Sequence, residues 1–251
     1  MNTVKVKSLV FGEGRPKICV PLVAANKAAL EEQVAALAGL KFDLVEFRVD
    51  FLEEVENTDF VLDCCREVRR LLPDVPILFT FRTAVEGGVH EMPPERYFAL
   101  LHAVIAAGAA DLIDIELFAG DEEVKKVIAA AKAKGIATVL CNHDFDKTPP
   151  KEEIIYRLRR MQDLGADICK IAVMPQSSAD VLVLLDATET MRSRYARQPL
   201  VTMAMGQRGI VSRLCGEEFG SAMTFGAAKQ ASAPGQIAVN DLAFILGVLS
   251  K

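Results

Sequence analysis

Two spacings of hydrophobic positions alternate along most of the chain. Short runs of β-branched and aliphatic residues are typical of buried strands, and between them apolar residues recur every three or four positions, as in amphipathic helices. The pattern predicts strands at residues 18–23, 43–48, 76–82, 112–117, 137–142, 167–174, 200–205 and 222–225. It predicts helices at residues 27–37, 58–72, 93–107, 121–134, 151–164, 178–195, 210–218 and 239–249.

Eight strands that alternate with eight helices, at about 28 residues per unit, predict an α/β fold of the (β/α)8 or TIM barrel type. A doubly wound open sheet is the competing architecture, but it usually has fewer strands and a switch point that nothing in this sequence marks. Val4–Val6 and Leu9–Phe11 alternate like a small hairpin. We expect residues 1–251 to form a single barrel domain, with the hairpin of residues 1–16 closing its bottom.

Net charge and hydropathy limit the classes of partner. The 251 residues carry a net charge of −5 and a pI near 5.4, so we expect neither nucleic acid nor an anionic membrane as the main partner. No apolar run is long enough to span a bilayer, and the N-terminus lacks the apolar core of a secretory signal. A cytoplasmic location is therefore expected.

Cysteine and histidine usage is consistent with that location. The six cysteines form no Cys-x-x-Cys pair, and Cys19, Cys141 and Cys169 lie in strand-like runs, as buried reduced thiols do. The three histidines form neither a His-x-His nor a His-Glu-x-x-His pattern. A dedicated metal site therefore has no obvious ligands in this sequence. Glycine-rich stretches match no dinucleotide or phosphate loop.

Ionisable side chains recur at the C-terminal ends of five consecutive predicted strands. In a barrel, alternate strand residues face the interior, whose upper layer opens to the active site. These positions carry Glu46, Arg48, Arg82, Asp114, Glu116, His143 and Lys170. Each alone has a structural explanation, such as a surface arginine or a buried supporting network. Together they predict a pocket in the barrel mouth for a neutral-to-anionic, hydroxyl-rich small molecule.

Lys170 is the centre of the predicted chemistry. An ammonium in an apolar strand loses its hydration, and it either pairs with a carboxylate or gives up its proton. A lysine whose pKa is depressed by burial is a nucleophile for imine formation; the alternative is a lysine that extends to water. His143 is the predicted proton shuttle, with Glu86 placed to accept its N–H. Lys229 is a competing amine in a loop that would leave it hydrated.

Two further segments are candidates for contacts with a ligand. The loop at residues 226–236 is rich in small residues, which fits a lid that closes over the pocket or an ordinary connection. Met203 and Met205 have inward parity on the seventh strand. They belong to the core or supply apolar packing against a carbon ring.

Eight motifs spread over nearly the whole chain are specific enough to compare with known families. They are Glu46-Phe-Arg-Val-Asp50, Phe79-Thr-Phe-Arg82, Glu86-Gly-Gly88, Asp114-Ile-Glu-Leu117, Asn142-His-Asp-Phe145, Lys170-Ile-Ala-Val-Met-Pro-Gln176, Ser212-Arg213-Leu214 and Ala231-Ser-Ala-Pro-Gly-Gln236. In order and spacing this set resembles the type I 3-dehydroquinate dehydratases. The resemblance implies a homodimeric (β/α)8 barrel that converts 3-dehydroquinate to 3-dehydroshikimate in the shikimate pathway, without metal or cofactor.

The resemblance also implies a role for each pocket residue. Lys170 forms an imine with the C3 ketone and so acidifies the C2–H, while His143, held by Glu86, moves the protons. The substrate carboxylate is bound by Arg213, Ser232 and Gln236, and the ring hydroxyls by Glu46, Arg48 and Arg82. Some family members have a polar side chain where this chain has Pro21, so a hydroxyl contact from that position is absent.

Two other functions stay open from the residues themselves. A Schiff-base aldolase on the same barrel would also use Lys170, although no phosphate-binding Gly-Gly pair supports sugar-phosphate substrates. A non-catalytic barrel that binds a hydroxy acid, as a sensor or scaffold, would be stabilised by ligand without forming product. An absorbance assay for a conjugated enone distinguishes the dehydratase from both.

Overall fold

An N-terminal hairpin precedes a ring of parallel strands. In the computed structural model, which describes residues 1–228 and 232–250, β1 (Val4–Val6) pairs antiparallel with β2 (Leu9–Phe11). The strands of the ring are β3 (Lys17–Leu22), β4 (Leu44–Arg48), β5 (Ile77–Thr80), β6 (Leu112–Glu116), β7 (Ala137–Asp144), β8 (Ile168–Val173), β9 (Leu200–Ala204) and β10 (Met223–Ala227). From β3 to β9 each strand pairs in parallel with the next, and β10 pairs with β3. The predicted (β/α)8 barrel with an N-terminal hairpin is confirmed.

Helices carry the chain back between the strands on the outside of the ring. They are α1 (Lys27–Ala35), α2 (Thr58–Leu71), α3 (Pro94–Ala107), α4 (Asp121–Ala133), α5 (Lys151–Asp163), α6 (Ser178–Thr190), α7 (Ile210–Leu214), α8 (Gly216–Phe219) and α9 (Val239–Leu249). Asn26, Asn57 and Ser177 cap three of them by accepting a backbone N–H of the first turn. Within the described ranges, no helix combines the length and the hydropathy needed to cross a membrane.

The ring closes between β9 and β10 through a short contact. Leu200 and Ser221 form a single parallel bridge there, and the Ser221 hydroxyl accepts the Thr202 backbone N–H at 3.0 Å. A side chain therefore replaces part of the missing ladder, which keeps a buried backbone donor satisfied.

The strand period of two separates two packing layers. Val45 and Phe47 of β4 pack outward against the helices, whereas Leu44 packs inward. The inward layer at the lower end of the ring is apolar, and Val6 and Phe11 of the hairpin join it. Its strand members include Leu44, Leu78, Leu112, Val139 and Ile168. Two or four residues further along these strands, inward positions carry ionisable groups of the pocket, such as Glu46, His143 and Lys170, so the apolar layer forms its floor.

Three aspartates set the register at the N-terminal ends of the strands. Asp43, Asp111 and Asp167 each stand one residue before a strand, in front of β4, β6 and β8. Each carboxylate accepts a backbone N–H from the preceding strand, at 2.7 Å from Ile18 and at 2.8 Å from both Ile77 and Thr138. Because side-chain period is two, fixing register this way also fixes which residues face the pocket.

Three local features differ from the sequence prediction. The helix predicted at 178–195 is α-helical only to Thr190 and ends in a π turn at Met191–Tyr195. The helix predicted at 210–218 is divided into α7 and α8 at Cys215, whose φ of −99° and ψ of 18° depart from helical values. The sequence prediction missed β11 (Ile237–Ala238), which pairs in parallel with β10.

Candidate active site

The C-terminal ends of the strands surround one polar cavity. Its empty space amounts to about 460 Å³, part of which is open to solvent. All eleven residues predicted as a site line it: Glu46, Arg48, Arg82, Glu86, His143, Lys170, Met203, Met205, Arg213, Ser232 and Gln236. The structure therefore brings together side chains that the sequence distributes over nearly two hundred positions, roughly 46 to 236. Lys229 lies outside the described residues.

Lys170 is buried among carboxylates. Its Nζ lies 3.3 Å from Asp114 Oδ2 and 3.7 Å from Glu46 Oε1. Burial alone would lower the pKa of Lys170, but Asp114 and then Glu46 offset that effect and raise the pKa above its ordinary value. In the ligand-free chain Lys170 is therefore an ammonium. A desolvated ammonium either pairs with a carboxylate or gives up its proton, and Lys170 has paired with two carboxylates.

His143 and Glu86 form a hydrogen-bonded pair. His143 Nδ1 lies 2.9 Å from Glu86 Oε2, and the same carboxyl oxygen accepts the His143 backbone N–H at 3.0 Å. Burial raises the pKa of Glu86 to about 8 although Arg82 opposes it. Burial, followed by the cations Arg82, Lys170 and Arg48, lowers the pKa of His143 well below its usual value. At neutral pH the pair therefore carries one proton more than a carboxylate beside a neutral imidazole would, and the two side chains share it.

Arg82 joins the acidic groups of the pocket into one network. Its Nη1 donates to Glu116 Oε1 at 2.9 Å, and its Nη2 donates to Asp114 Oδ1 at 2.5 Å. Glu86 Oε2 lies 3.6 Å from the same guanidinium. Burial would lower the pKa of Arg82, yet Asp114 and its neighbours raise it, so the guanidinium is a fixed cation. Its predicted contact with ring hydroxyls stays a prediction, since these donors already have partners.

Arg213 is a buried cation with few partners. Its side chain is 2% exposed, and Nη2 donates to the Pro234 carbonyl at 3.1 Å while Nε has no partner. Burial lowers the pKa of Arg213 to about 10, and among the described residues no carboxylate offsets that loss. A desolvated, unneutralised guanidinium that faces a cavity is suited to bind an anion.

Residues 232–236 of the predicted lid lie against two arginines of the cavity, Arg48 and Arg213. Arg48 Nη1 is 3.5 Å from the Ser232 carbonyl, although the guanidinium chiefly pairs with Asp50 at 2.7 and 2.8 Å. Gln236 and Ser232 bond to each other, with Gln236 Nε2 donating to Ser232 Oγ at 3.1 Å. Residues 229–231 of the same loop lie outside the described residues.

Sequence reasoning missed two aromatic walls of the cavity. The Phe225 ring centroid lies 4.8 Å from Lys170 Nζ, a cation–π contact. The Phe145 ring packs on Gly87, where a Cβ would overlap it and where φ is +85°. Phe145 ends one of the eight sequence motifs and Phe225 ends a predicted strand, and the inward parity of Phe225 on β10 was the available signal.

A cation already occupies the one cluster of metal-ligating atoms found among the described residues. Atoms of Glu86, Cys141 and His143 lie within 4.8 Å of one another. Arg82 Nη1 is 3.0 Å from Cys141 Sγ and 3.6 Å from Glu86 Oε2. A guanidinium therefore fills the space between two of the three groups, and its charge would repel a metal ion.

Comparisons with known proteins agree with this geometry. A family model described as type I 3-dehydroquinase matches residues 18–251. The 3-dehydroquinate dehydratase of Bacillus licheniformis is 54% identical over 248 residues, which cover 99% of this chain and 98% of the relative. The enzyme of that name from an Escherichia coli strain is 51% identical over 251 residues, all of both chains. A crystal structure of type I 3-dehydroquinate dehydratase from Clostridium difficile, with covalent modified comenic acid, superposes with a TM-score of 0.95 at 50% identity and covers 99% of this chain and 97% of that one. The chain belongs to the type I 3-dehydroquinase family.

Proposed function

We propose that this chain dehydrates 3-dehydroquinate to 3-dehydroshikimate in the shikimate pathway, through an imine on Lys170, with His143 as general acid and base. One arrangement carries the proposal: a buried amine, a His–Glu pair and an unneutralised arginine line the same cavity. The reaction requires a nucleophile for the ketone, a proton shuttle and an anchor for the carboxylate. The named relatives, at half identity over their full lengths, support the substrate.

The charge around Lys170 favours the product of imine formation. The ammonium and the ketone give a protonated imine and water, so the positive charge on nitrogen is unchanged by the complete step. Asp114 and Glu46, which hold the ammonium at 3.3 and 3.7 Å, stabilise the cationic imine equally. That cation draws electrons from C2 and makes its hydrogen acidic. The same carboxylates make the attack on the ketone harder, because the Lys170 ammonium must first lose a proton.

His143 closes the proton balance of the elimination. Its neutral imidazole takes the proton from C2, which leaves an enamine on Lys170. The imidazolium then gives that proton to the departing C1 hydroxyl as the enamine returns to the protonated imine, and water leaves. Water then hydrolyses the protonated imine, which releases the ketone and restores the Lys170 ammonium. The active form is the pair that has lost its shared proton: in it the Glu86 carboxylate accepts the Nδ1–H of His143 and leaves the Nε2 lone pair available.

The same carboxylate anchor gives a prediction for Arg213→Met. We expect KM for 3-dehydroquinate to rise by about 100-fold with a smaller change in kcat, because a charge-assisted hydrogen bond contributes about 1.5–3 kcal/mol. We also expect the ligand-free variant to melt at a higher temperature than the wild type, since a buried cation without a carboxylate is lost. Steady-state kinetics and thermal unfolding measure both. Arg208→Met, at an exposed residue nearby, is the control. An unchanged KM in Arg213→Met would show that Arg213 does not bind the substrate carboxylate.

The His143–Glu86 pair predicts a pH dependence. The pKa of Glu86 is about 8, so kcat/KM should rise with pH until the pair loses its shared proton near that value. In Glu86→Gln the pKa of His143 alone governs this limb, and burial together with Arg82 and Lys170 lowers it. We therefore expect the limb to move down by more than about one pH unit, with a rate maximum about tenfold lower. Profiles of kcat/KM against pH test this, and an upward movement would contradict it.

Borohydride trapping tests the proposal as a whole. Incubation with 3-dehydroquinate and borohydride should attach a reduced adduct to the peptide that carries Lys170, while absorbance reports the conjugated enone. Trapping at Lys229, or nowhere, would refute the imine assignment. Turnover of a sugar phosphate instead would favour the aldolase alternative, and stabilisation by 3-dehydroquinate without enone would favour a binding protein.

Three further proposals follow from the same assignment. We propose a homodimer, as the resemblance implies, which light scattering of the purified chain tests.

A cytoplasmic location is supported by six free cysteines, five of them buried. A single barrel domain closed below by the hairpin is supported by Lys7, whose Nζ donates to the Pro73 carbonyl at 3.0 Å. Two separate unfolding transitions would contradict a single domain.

A further inference from the structure

An arginine on an outer helix contacts the catalytic pair through one amide. Arg157 of α5 donates from Nη1 to Asn142 Oδ1 at 2.8 Å. Asn142, next to His143 on β7, donates from Nδ2 to Glu86 Oε1 at 3.0 Å. Asn142 is 5% exposed, so both ends of its amide are desolvated and require these partners.

The direction of the amide depends on Arg157. An asparagine side chain can present either its oxygen or its nitrogen to Glu86, and only the nitrogen donates. A guanidinium has no acceptor, so Arg157 must face Asn142 Oδ1, and the Nδ2 donor then faces the carboxylate. Arg157 itself is fixed by Glu153, which accepts its Nε–H at 2.7 Å, and by Asp144 at 3.7 Å.

Glu86 has little other support of this kind. Its Oε1 accepts from Asn142 in the described structure, while Oε2 serves His143 and lies 3.6 Å from Arg82. An amide turned the other way would place an oxygen against Oε1, and the carboxylate would lose a donor and gain a repulsive neighbour. The position of the carboxylate that holds the imidazole thus depends on a residue outside the cavity.

We infer that Arg157 is a positioning residue for the dehydration, acting through Asn142 on the Glu86–His143 pair. The inference rests on the proposed function. Arg157 is absent from the cavity lining and touches no reacting atom. Its effect is to keep the Glu86 carboxylate ready to accept the Nδ1–H of His143.

Arg160 provides a matched control on the same helix. Both guanidiniums stack on Phe118, with Cζ 5.6 Å from the ring centroid for Arg157 and 5.4 Å for Arg160. Both form ion pairs: Arg157 with Glu153 and, at 3.7 Å, with Asp144, and Arg160 through Nη2, which donates to Asp121 at 2.6 Å. Only Arg157 of these two bonds to Asn142. Arg157→Met and Arg160→Met therefore lose similar surface contacts and differ in the link to the active site.

The test compares the kinetics of these variants and the pH midpoint at which the Glu86–His143 pair loses its shared proton. Without the Nδ2 donor the ionised form of Glu86 is less stable. The midpoint for loss of the shared proton should therefore rise by about half to one pH unit in Arg157→Met. Groups that face the pair, namely Arg48, Arg82, Asp114, Glu116 and Lys170, are present in every variant. With three histidines in the chain, the His143 ring signals can be assigned by NMR and followed against pH. At pH 7 kcat should fall by roughly three- to tenfold with KM within about twofold, because Arg157 binds no substrate.

Further variants make each outcome decisive. Arg157→Lys, which keeps a donor for Asn142 Oδ1, should restore most of the midpoint, and Arg160→Met should leave it unchanged. Asn142→Ala should shift the midpoint as Arg157→Met does, and the double variant should add little more. An unchanged midpoint in Arg157→Met, or an equal shift in Arg160→Met, overturns the inference. A wild type that forms no enone refutes the proposed function instead, and the titrations then still decide whether Arg157 positions the pair.

Discussion

Lys170→Met should abolish both imine trapping and dehydration, with kcat reduced by at least ~10⁴-fold. The amine is the group that makes C2 acidic, and neither His143 nor the neighbouring carboxylates can replace an electron sink. Methionine fills a similar volume in a strand that is otherwise apolar. Borohydride trapping followed by peptide mapping, together with the enone assay, measures the loss. Retained trapping would show that another amine reacts.

The same variant should remain folded but less stable. Removing one partner from a buried ion cluster costs roughly 3 kcal/mol, and here Glu46 would keep the Thr80 hydroxyl at 3.1 Å as its remaining partner in the described contacts. We expect Lys170→Met with Glu46→Gln to recover much of this stability without recovering trapping. Lys151→Met, at a surface lysine paired with Asp186, should trap normally. Urea unfolding separates a folded, inactive variant from an unfolded one.

The barrel was predictable from the sequence because two periodicities alternate without interruption. The same period of two placed Glu46 and Arg48 on the inward face with Leu44, and the structure confirms this face. The hydrophobic pattern could not show the break at Cys215, because it continues across the residue where the backbone leaves helical values. Nor could it find β11, whose two residues offer no pattern.

The sequence could not predict which charged side chains of the cavity neutralise each other. Burial of Lys170 was foreseen, but whether burial or a carboxylate dominates depends on distances of a few ångströms to Asp114 and Glu46. The role of Arg82 was likewise assigned to ligand hydroxyls, although its donors already reach Asp114 and Glu116. Periodicity identifies which side chains share a cavity, and geometry decides which of them neutralise one another.

His143→Ala should retain the imine and lose turnover by about 10³-fold or more. Attack on the ketone needs one proton removed from an amine, but the elimination needs a base at C2 and an acid at C1, and hydrolysis needs a further proton transfer. General acid–base catalysis contributes about 10²–10⁴-fold to a single step, and the same imidazole serves several. Covalent adduct should therefore accumulate on Lys170, visible by intact-protein mass spectrometry without borohydride. His102→Ala, on α3 outside the cavity lining, is the matched control.

Exogenous imidazole should restore part of the activity of His143→Ala, since the truncation leaves room beside Glu86 Oε2, the acceptor that lies 2.9 Å from Nδ1 in the intact chain. Restoration should increase with the fraction of imidazole in its neutral form, because neutral imidazole is the base at C2. Turnover close to that of the wild type without added imidazole would show that another group moves the proton. In the cavity, Glu86 is the nearest alternative, and in Glu86→Gln combined with His143→Ala any such residual rate should disappear.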